Sequence, residues 1–160
     1  MQLTQFTDLS LRVLMYVAQP QRHSPQGSVQ KAITIPEIAE RFGVSRNHLA
    51  KAVNFMASQH WLMTTRGKGG GIALMQAPEH YNIGTLVRTL EGKSQLVDCA
   101  DPPCVLRAHC GLKSILDEAL EALFRSLDQY TLADIIGGKT REILVDLQRI
   151  STVQIESSSN

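Results

Sequence analysis

The sequence predicts a mainly α-helical chain with one small β-hairpin, and three features carry that expectation. Of 160 residues, 43% are hydrophobic, 19% charged and only 5% aromatic, so the core must come from Leu, Ile, Val, Ala and Met. Such a core favours helices over a β-sandwich. Apolar residues recur at helical spacing in several stretches, and a glycine run, Gly67 to Gly71, lies between two short apolar segments.

Phe6, Leu9, Val13, Leu14 and Val17 predict the first helix, with Thr4 or Thr7 as cap and an end near Pro20. Residues 20–32, carrying two Pro and a Gly, read as an exposed loop. Pro36 opens a second helix whose apolar face, Ile38, Ala39 and Phe42, stops at Gly43. Ser45 caps a third, with Leu49, Ala52, Val53 and Met56 as its buried stripe and Arg46, Asn47, His48 and Lys51 turned outward. Two helices joined by a tight Gly turn form a helix-turn-helix, and its second helix can present N-terminal side chains to a DNA major groove.

Leu62 to Thr65 and Ile72 to Met75 read as strands of a hairpin whose tip bears Arg66, Lys68 and Gly69. Following a helix-turn-helix, this hairpin reads as a wing, because a basic, glycine-rich tip brings backbone N–H groups close to phosphate. The candidate DNA-binding residues are therefore Ser45, Arg46, Asn47, His48, Lys51, Arg66, Lys68 and Gly69, with a solvated surface role as the alternative for His48.

Asn82 caps a helix through Leu86, Val87 and Leu90, ending at Gly92. Residues 93–109, with Pro102 and Pro103, form a loop. Leu112, Ile115, Leu116, Ala119, Leu120, Leu123, Phe124 and Leu127 then hold helical spacing, a stripe expected to pack against a second subunit. Packing within the chain is the alternative. Thr131 starts a short element, residues 139–150 suit another helix, and 151–160 read as disordered. The expected organisation is a winged helix-turn-helix DNA-binding domain (1–80), a cysteine-bearing loop with a long dimerisation helix (81–136), and a partly disordered extension (137–160).

The net charge of +1 hides an asymmetry: residues 1–80 hold 8 Lys and Arg against 4 Asp and Glu, whereas 81–160 hold 8 against 11. A basic first half suits a polyanion. No secretory or membrane signal is visible, since Arg12 interrupts the nearest apolar stretch, so a cytoplasmic location without membrane contact is expected.

In a reducing compartment, three clustered cysteines are metal ligands or redox groups rather than staples. Cys99, Cys104 and Cys110 have C-x4-C-x5-C spacing within one loop. Thiolates select zinc, copper(I) or iron-sulfur clusters, and the tight C-x2-C pairs of zinc fingers are absent. An iron-sulfur cluster suits the spacing but needs a fourth ligand. A metal-free thiol switch pairing Cys99 with Cys104 is a competing reading, whereas an oxidoreductase would need a CxxC or a positioned base, neither of which is present.

Phe6-Thr7-Asp8, Val44 to His48, Arg66 to Gly71, the three-Cys loop and Tyr130 to Asp134 together resemble the NsrR-type nitric-oxide-sensing repressors. These belong to the winged-helix family that also contains the cluster-assembly regulators of IscR type. The similarity runs over roughly residues 1–136. It implies a non-enzymatic transcriptional repressor, a homodimer on inverted-repeat operator DNA and an iron-sulfur cluster, 4Fe-4S with 2Fe-2S as the alternative. Nitric oxide would be the signal, its attack on the cluster releasing the operator. The IscR-type set has C-x5-C-x5-C and a His three residues on, where this chain has a shorter first gap and Lys113. The resemblance therefore implies Asp8, supplied by the other subunit, as fourth ligand beside Cys99, Cys104 and Cys110. His109 is the rival ligand, and the plainer role for Asp8 is a first-turn carboxylate paired with Arg12.

Overall fold

A computed structural model describes residues 2–19, 32–65, 67, 69–92 and 95–156, without the side chains of 149–156. Helix α1 spans Gln5–Val17, its Thr4 cap accepting the Thr7 N–H at 3.2 Å. Helix α2 (Ile35–Phe42) begins at Thr34 with Pro36 in its first turn and ends at Gly43, whose φ of 62° glycine adopts without penalty. Helix α3 (Arg46–Ser58) follows directly. Ser45 occupies its N-cap position, but its hydroxyl makes no cap bond, contrary to the expectation from sequence.

Strands β1 (Leu62–Thr64) and β2 (Ile72–Leu74) pair antiparallel, Leu62 opposite Leu74. The turn end of this hairpin's strands, where Ile72 pairs with Thr64, is tied to the segment before α2: the Ile72 N–H donates to the Ile33 carbonyl at 2.8 Å. That approach requires Gly71: a Cβ there would lie 2.5 Å from Ala32 Cβ and 2.8 Å from the Ile33 oxygen. Helices α4 (Ile83–Glu91), α5 (Gly111–Leu127), α6 (Leu132–Ile135) and α7 (Gly138–Glu156) complete the chain. The loop expected over 20–32 lies outside the described residues except for Ala32.

The core gathers around α1. Val13, Leu14, Tyr16, Ile38, Leu49, Ala52, Met56 and Leu132 are fully buried, so α1 is the pillar against which the helix-turn-helix and the later helices pack. Phe6 of α1 meets Phe55 of α3 edge-on, with ring centroids 5.5 Å apart, and Phe55 meets Trp61 the same way. Between α4 and the end of α5, Arg88 donates to both carboxylate oxygens of Asp128 at 2.7 and 2.8 Å while its guanidinium lies over Phe124.

Two sequence expectations change. The apolar stripe of α5 is split: Leu120 and Phe124 are buried within this chain, whereas Leu112 and Ile115 are 62% and 65% exposed. One helix turns two apolar lines to two surfaces, which a single periodic reading merges. Helix α7 also continues past Ser151 to Glu156. It packs Leu144 into the core, and Gln148 Nε2 donates to the Tyr16 carbonyl at 3.2 Å. Among the described residues, no helix is long and apolar enough to cross a membrane.

Candidate nucleic-acid interface and thiol loop

The outward face of α3 is polar from end to end. Ser45, Arg46, Asn47, His48 and Lys51 are all exposed, as the sequence implied, and Asn54 and Ser58 extend the same line. Neither acidic residue type occurs in α3. In the hairpin, Gly67 and Gly69 have φ of 97° and 87°, and the Gly70 N–H closes a turn onto the Gly67 carbonyl at 3.0 Å. Gly69 is therefore placed at the tip, while Arg66 and Lys68 lie outside the described residues.

The helix-turn-helix is fixed to α1 by one buried phenol. Tyr16 donates its hydroxyl to Glu37 Oε1 at 2.9 Å and stacks edge-on against Phe42. Burial, reinforced by the Glu37 carboxylate, raises the phenol far above its ordinary pKa, so Tyr16 stays a donor at all physiological pH.

The cysteines lie between α4 and α5. Cys99 and Cys110 are half-buried, Cys104 is exposed, and all three are free thiols. Backbone turns shape the loop: the Cys104 N–H reaches the Cys99 carbonyl at 3.2 Å and the Arg107 N–H reaches that of Cys104 at 3.2 Å. Cys110 is the N-cap of α5, and its side chain makes no cap bond. His109 lines a shallow cleft with Arg107, Cys110, Lys113 and Asp117. Lys113 is held above its ordinary pKa first by its bond to Asp117 and also by the nearby Cys99 sulfur.

Asp8 stands on the first turn of α1, 51% exposed and ion-paired with Arg12 at 2.9 Å. The neighbouring Thr4 donates its N–H and hydroxyl to Glu91 Oε1 at 2.9 and 3.2 Å, fastening the start of α1 to the end of α4, where the thiol loop begins. Sequence reasoning missed this link, which joins residues 87 positions apart. Among the described residues, no three His, Cys, Asp or Glu side chains are grouped to hold a metal ion. The donor set nevertheless fits an iron-sulfur cluster in kind, offering three unpaired soft thiols on one loop.

A family model described as iron-dependent transcriptional regulator, Rrf2, matches residues 3–138. The chain is 41% identical over 142 residues to the HTH-type transcriptional regulator NsrR of Bacillus subtilis strain 168, covering 87% of this chain and 92% of that protein. Among solved structures it superposes on T. potens IscR with a TM-score of 0.62 at 21% identity, over 85% of this chain and 86% of that one. The oxidized form of Staphylococcus aureus CymR gives 0.64 at 22% identity, over 86% and 98%. These two structural likenesses bear on the fold alone, a winged helix-turn-helix with a mainly helical body.

Proposed function

The chain belongs to the Rrf2 family of transcriptional regulators, which is not a family of enzymes, and from that premise we propose that it is a nitric-oxide-sensing repressor acting through an iron-sulfur cluster. It binds inverted-repeat operator DNA as a homodimer and releases it when nitric oxide attacks the cluster. The observation that carries this reading is the set of three free thiols on the one loop joining α4 to α5. The similarity to NsrR supports the choice of signal.

Cys99, Cys104 and Cys110 would hold the cluster, with Asp8 of the partner subunit as the fourth donor. When bound, the cluster supplies iron that reacts with nitric oxide. To serve there, Asp8 gives up its pair with Arg12, an exposed i,i+4 pair of the kind that contributes only about 0.3–0.5 kcal/mol. That is a small obstacle. As that donor, Asp8 would tie α1 of one subunit to the loop of the other, and Phe6, edge-on to Phe55, would couple the position of α1 to α3. Two recognition helices must match half-sites about 34–36 Å apart, so releasing either tie costs specific affinity.

The dimer seam is the exposed line Leu112, Ile115, Ala119 and Ala122, whose alternating spacing of three and four is that of a coiled-coil contact. Residues 1–80 then form the DNA-reading part, 81–136 the sensing and dimerising part, and 137–160 an extension. The test is anaerobic purification with iron and sulfide analysis, followed by operator titration with and without nitric oxide. Stoichiometric iron and sulfide with nitric-oxide-sensitive binding is expected. A colourless, metal-free protein that still binds the operator and responds to thiol oxidants overturns it in favour of the Cys99–Cys104 switch.

A further inference from the structure

Asn54 breaks a local rule without an internal return. Asparagine disfavours helix interiors, because its amide competes for backbone groups in non-helical conformations. Here it sits in the middle of α3, exposed, and its side-chain amide makes no hydrogen bond to another of the described residues. Ser58 on the same line, by contrast, donates its hydroxyl back to the Phe55 carbonyl at 2.7 Å. Its exposed amide, solvated in the free protein, is open to a partner outside the fold on the same face as Asn47 and Lys51.

Its direction is fixed by helix geometry. Asn54 follows Asn47 by seven residues, which returns it to nearly the same azimuth, about 10 Å further along the axis. Lys51 lies between them on the same face, and the buried Ala52, Val53 and Met56 hold that face outward. With Asn47 over one base pair, Asn54 stands over another roughly three steps away, at about 3.4 Å per step. The side-chain amide offers one donor and one acceptor, the pattern that matches N7 and the N6 amino group of adenine in the major groove.

We propose that Asn54 is a specificity-determining residue of the operator interface, reading an adenine from the second half of α3. This rests on the DNA-binding role assigned to α3 above, and the test separates the two. Full-length wild-type protein, anaerobically purified and loaded with its cluster, is first used to select its preferred duplex from a random library. Every base pair of the half-site is then substituted singly and affinities are measured for wild type, Asn54→Ala, Asn54→Gln and Lys51→Ala. In wild type one A·T position carries a penalty of about tenfold or more when changed. Asn54→Ala loses that one penalty and keeps the others, and Asn54→Gln, with the same amide, restores part of it. Lys51→Ala weakens all duplexes together. Alanine is the better helix former, so thermal stability of Asn54→Ala is unchanged or higher, which separates lost reading from lost fold. Penalties unchanged at every position in Asn54→Ala, or lowered uniformly, overturn the assignment to Asn54. A wild-type protein that selects no preferred duplex overturns the DNA-binding role of α3 as well.

Discussion

Asp8 and Arg12 face each other across one turn of α1, joined by two bonds, Arg12 Nε to Oδ1 at 3.0 Å and Nη2 to Oδ2 at 2.9 Å. In the isolated chain the carboxylate proposed as cluster ligand is thus held by its own helix. Arg12→Ala frees it and should change stability by no more than about 0.5 kcal/mol in urea unfolding, because both groups are half exposed. Asp8→Ala should still assemble a coloured but altered cluster, with operator affinity falling towards the apo value and a blunted nitric-oxide response. Cys104→Ala should assemble little or none. Wild-type affinity and full response in cluster-loaded Asp8→Ala protein, measured anaerobically, would transfer the ligand role to His109.

Ile115, 65% exposed in the middle of an apolar line, should be the sensitive point of the dimer seam. Ile115→Asp buries an unpaired charge if the seam is used. Sedimentation should then find a monomer whose thermal unfolding resembles that of the wild-type fold, with operator affinity sharply reduced. Leu120→Asp is the wrong probe, since Leu120 is already part of the chain's own core. A fully dimeric Ile115→Asp protein would place the interface elsewhere.

Gly84 allows α4 to meet the end of α5. A Cβ at this position would collide with Asp128 Oδ1 and come within 2.9 Å of the Asp128 backbone nitrogen. Gly84→Ala should destabilise the protein by about 1–3 kcal/mol despite its better helix propensity, because something in that junction must shift. Urea unfolding measures it. An alanine variant as stable as wild type would mean that the junction adapts freely.

Asp128 also predicts a pH effect. Its bond from Arg88 holds the carboxyl below the usual aspartate value, so this group's contribution is complete above that value and disappears as pH falls through the lower folded one. Asp134, held down by the Thr131 N–H and hydroxyl, acts in the same sense. Stability of Asp128→Asn, referred to its own value at pH 7, should therefore fall less steeply than wild type below about pH 4. Identical acid limbs in denaturant series across pH 2 to 7 would remove the Arg88 pair from acid stability.

Legibility from sequence followed the range of the interaction. Pro36, Gly43 and the stripe from Leu49 to Met56 act within a few residues, so α2 and α3 could be read directly. The three-Cys loop was likewise local. Arg88 and Asp128 are 40 residues apart, and the contact of Gly71 with Ala32 crosses a loop and a helix-turn-helix, so no spacing announces either. In α5 the apolar residues marked a helix correctly but merged two faces, since periodicity fixes azimuth and not what lies opposite. Asp8 enters as the proposed fourth ligand by resemblance alone, because it lies far along the chain from the thiols.

The bond from Gln148 to the Tyr16 carbonyl spans 132 positions, joining the last helix to the first. On the ribosome the chain emerges N-terminal end first, so α1, α2 and α3 emerge long before the residue that closes over Tyr16. Until Leu144 arrives, the site it fills stays open to water or to other nascent chains. A product terminated before that point carries every residue proposed to read DNA and all three thiols, yet leaves the central pillar uncovered on one side. Such fragments should be cleared by proteases faster than the full chain, which protects the operator from half-finished competitors.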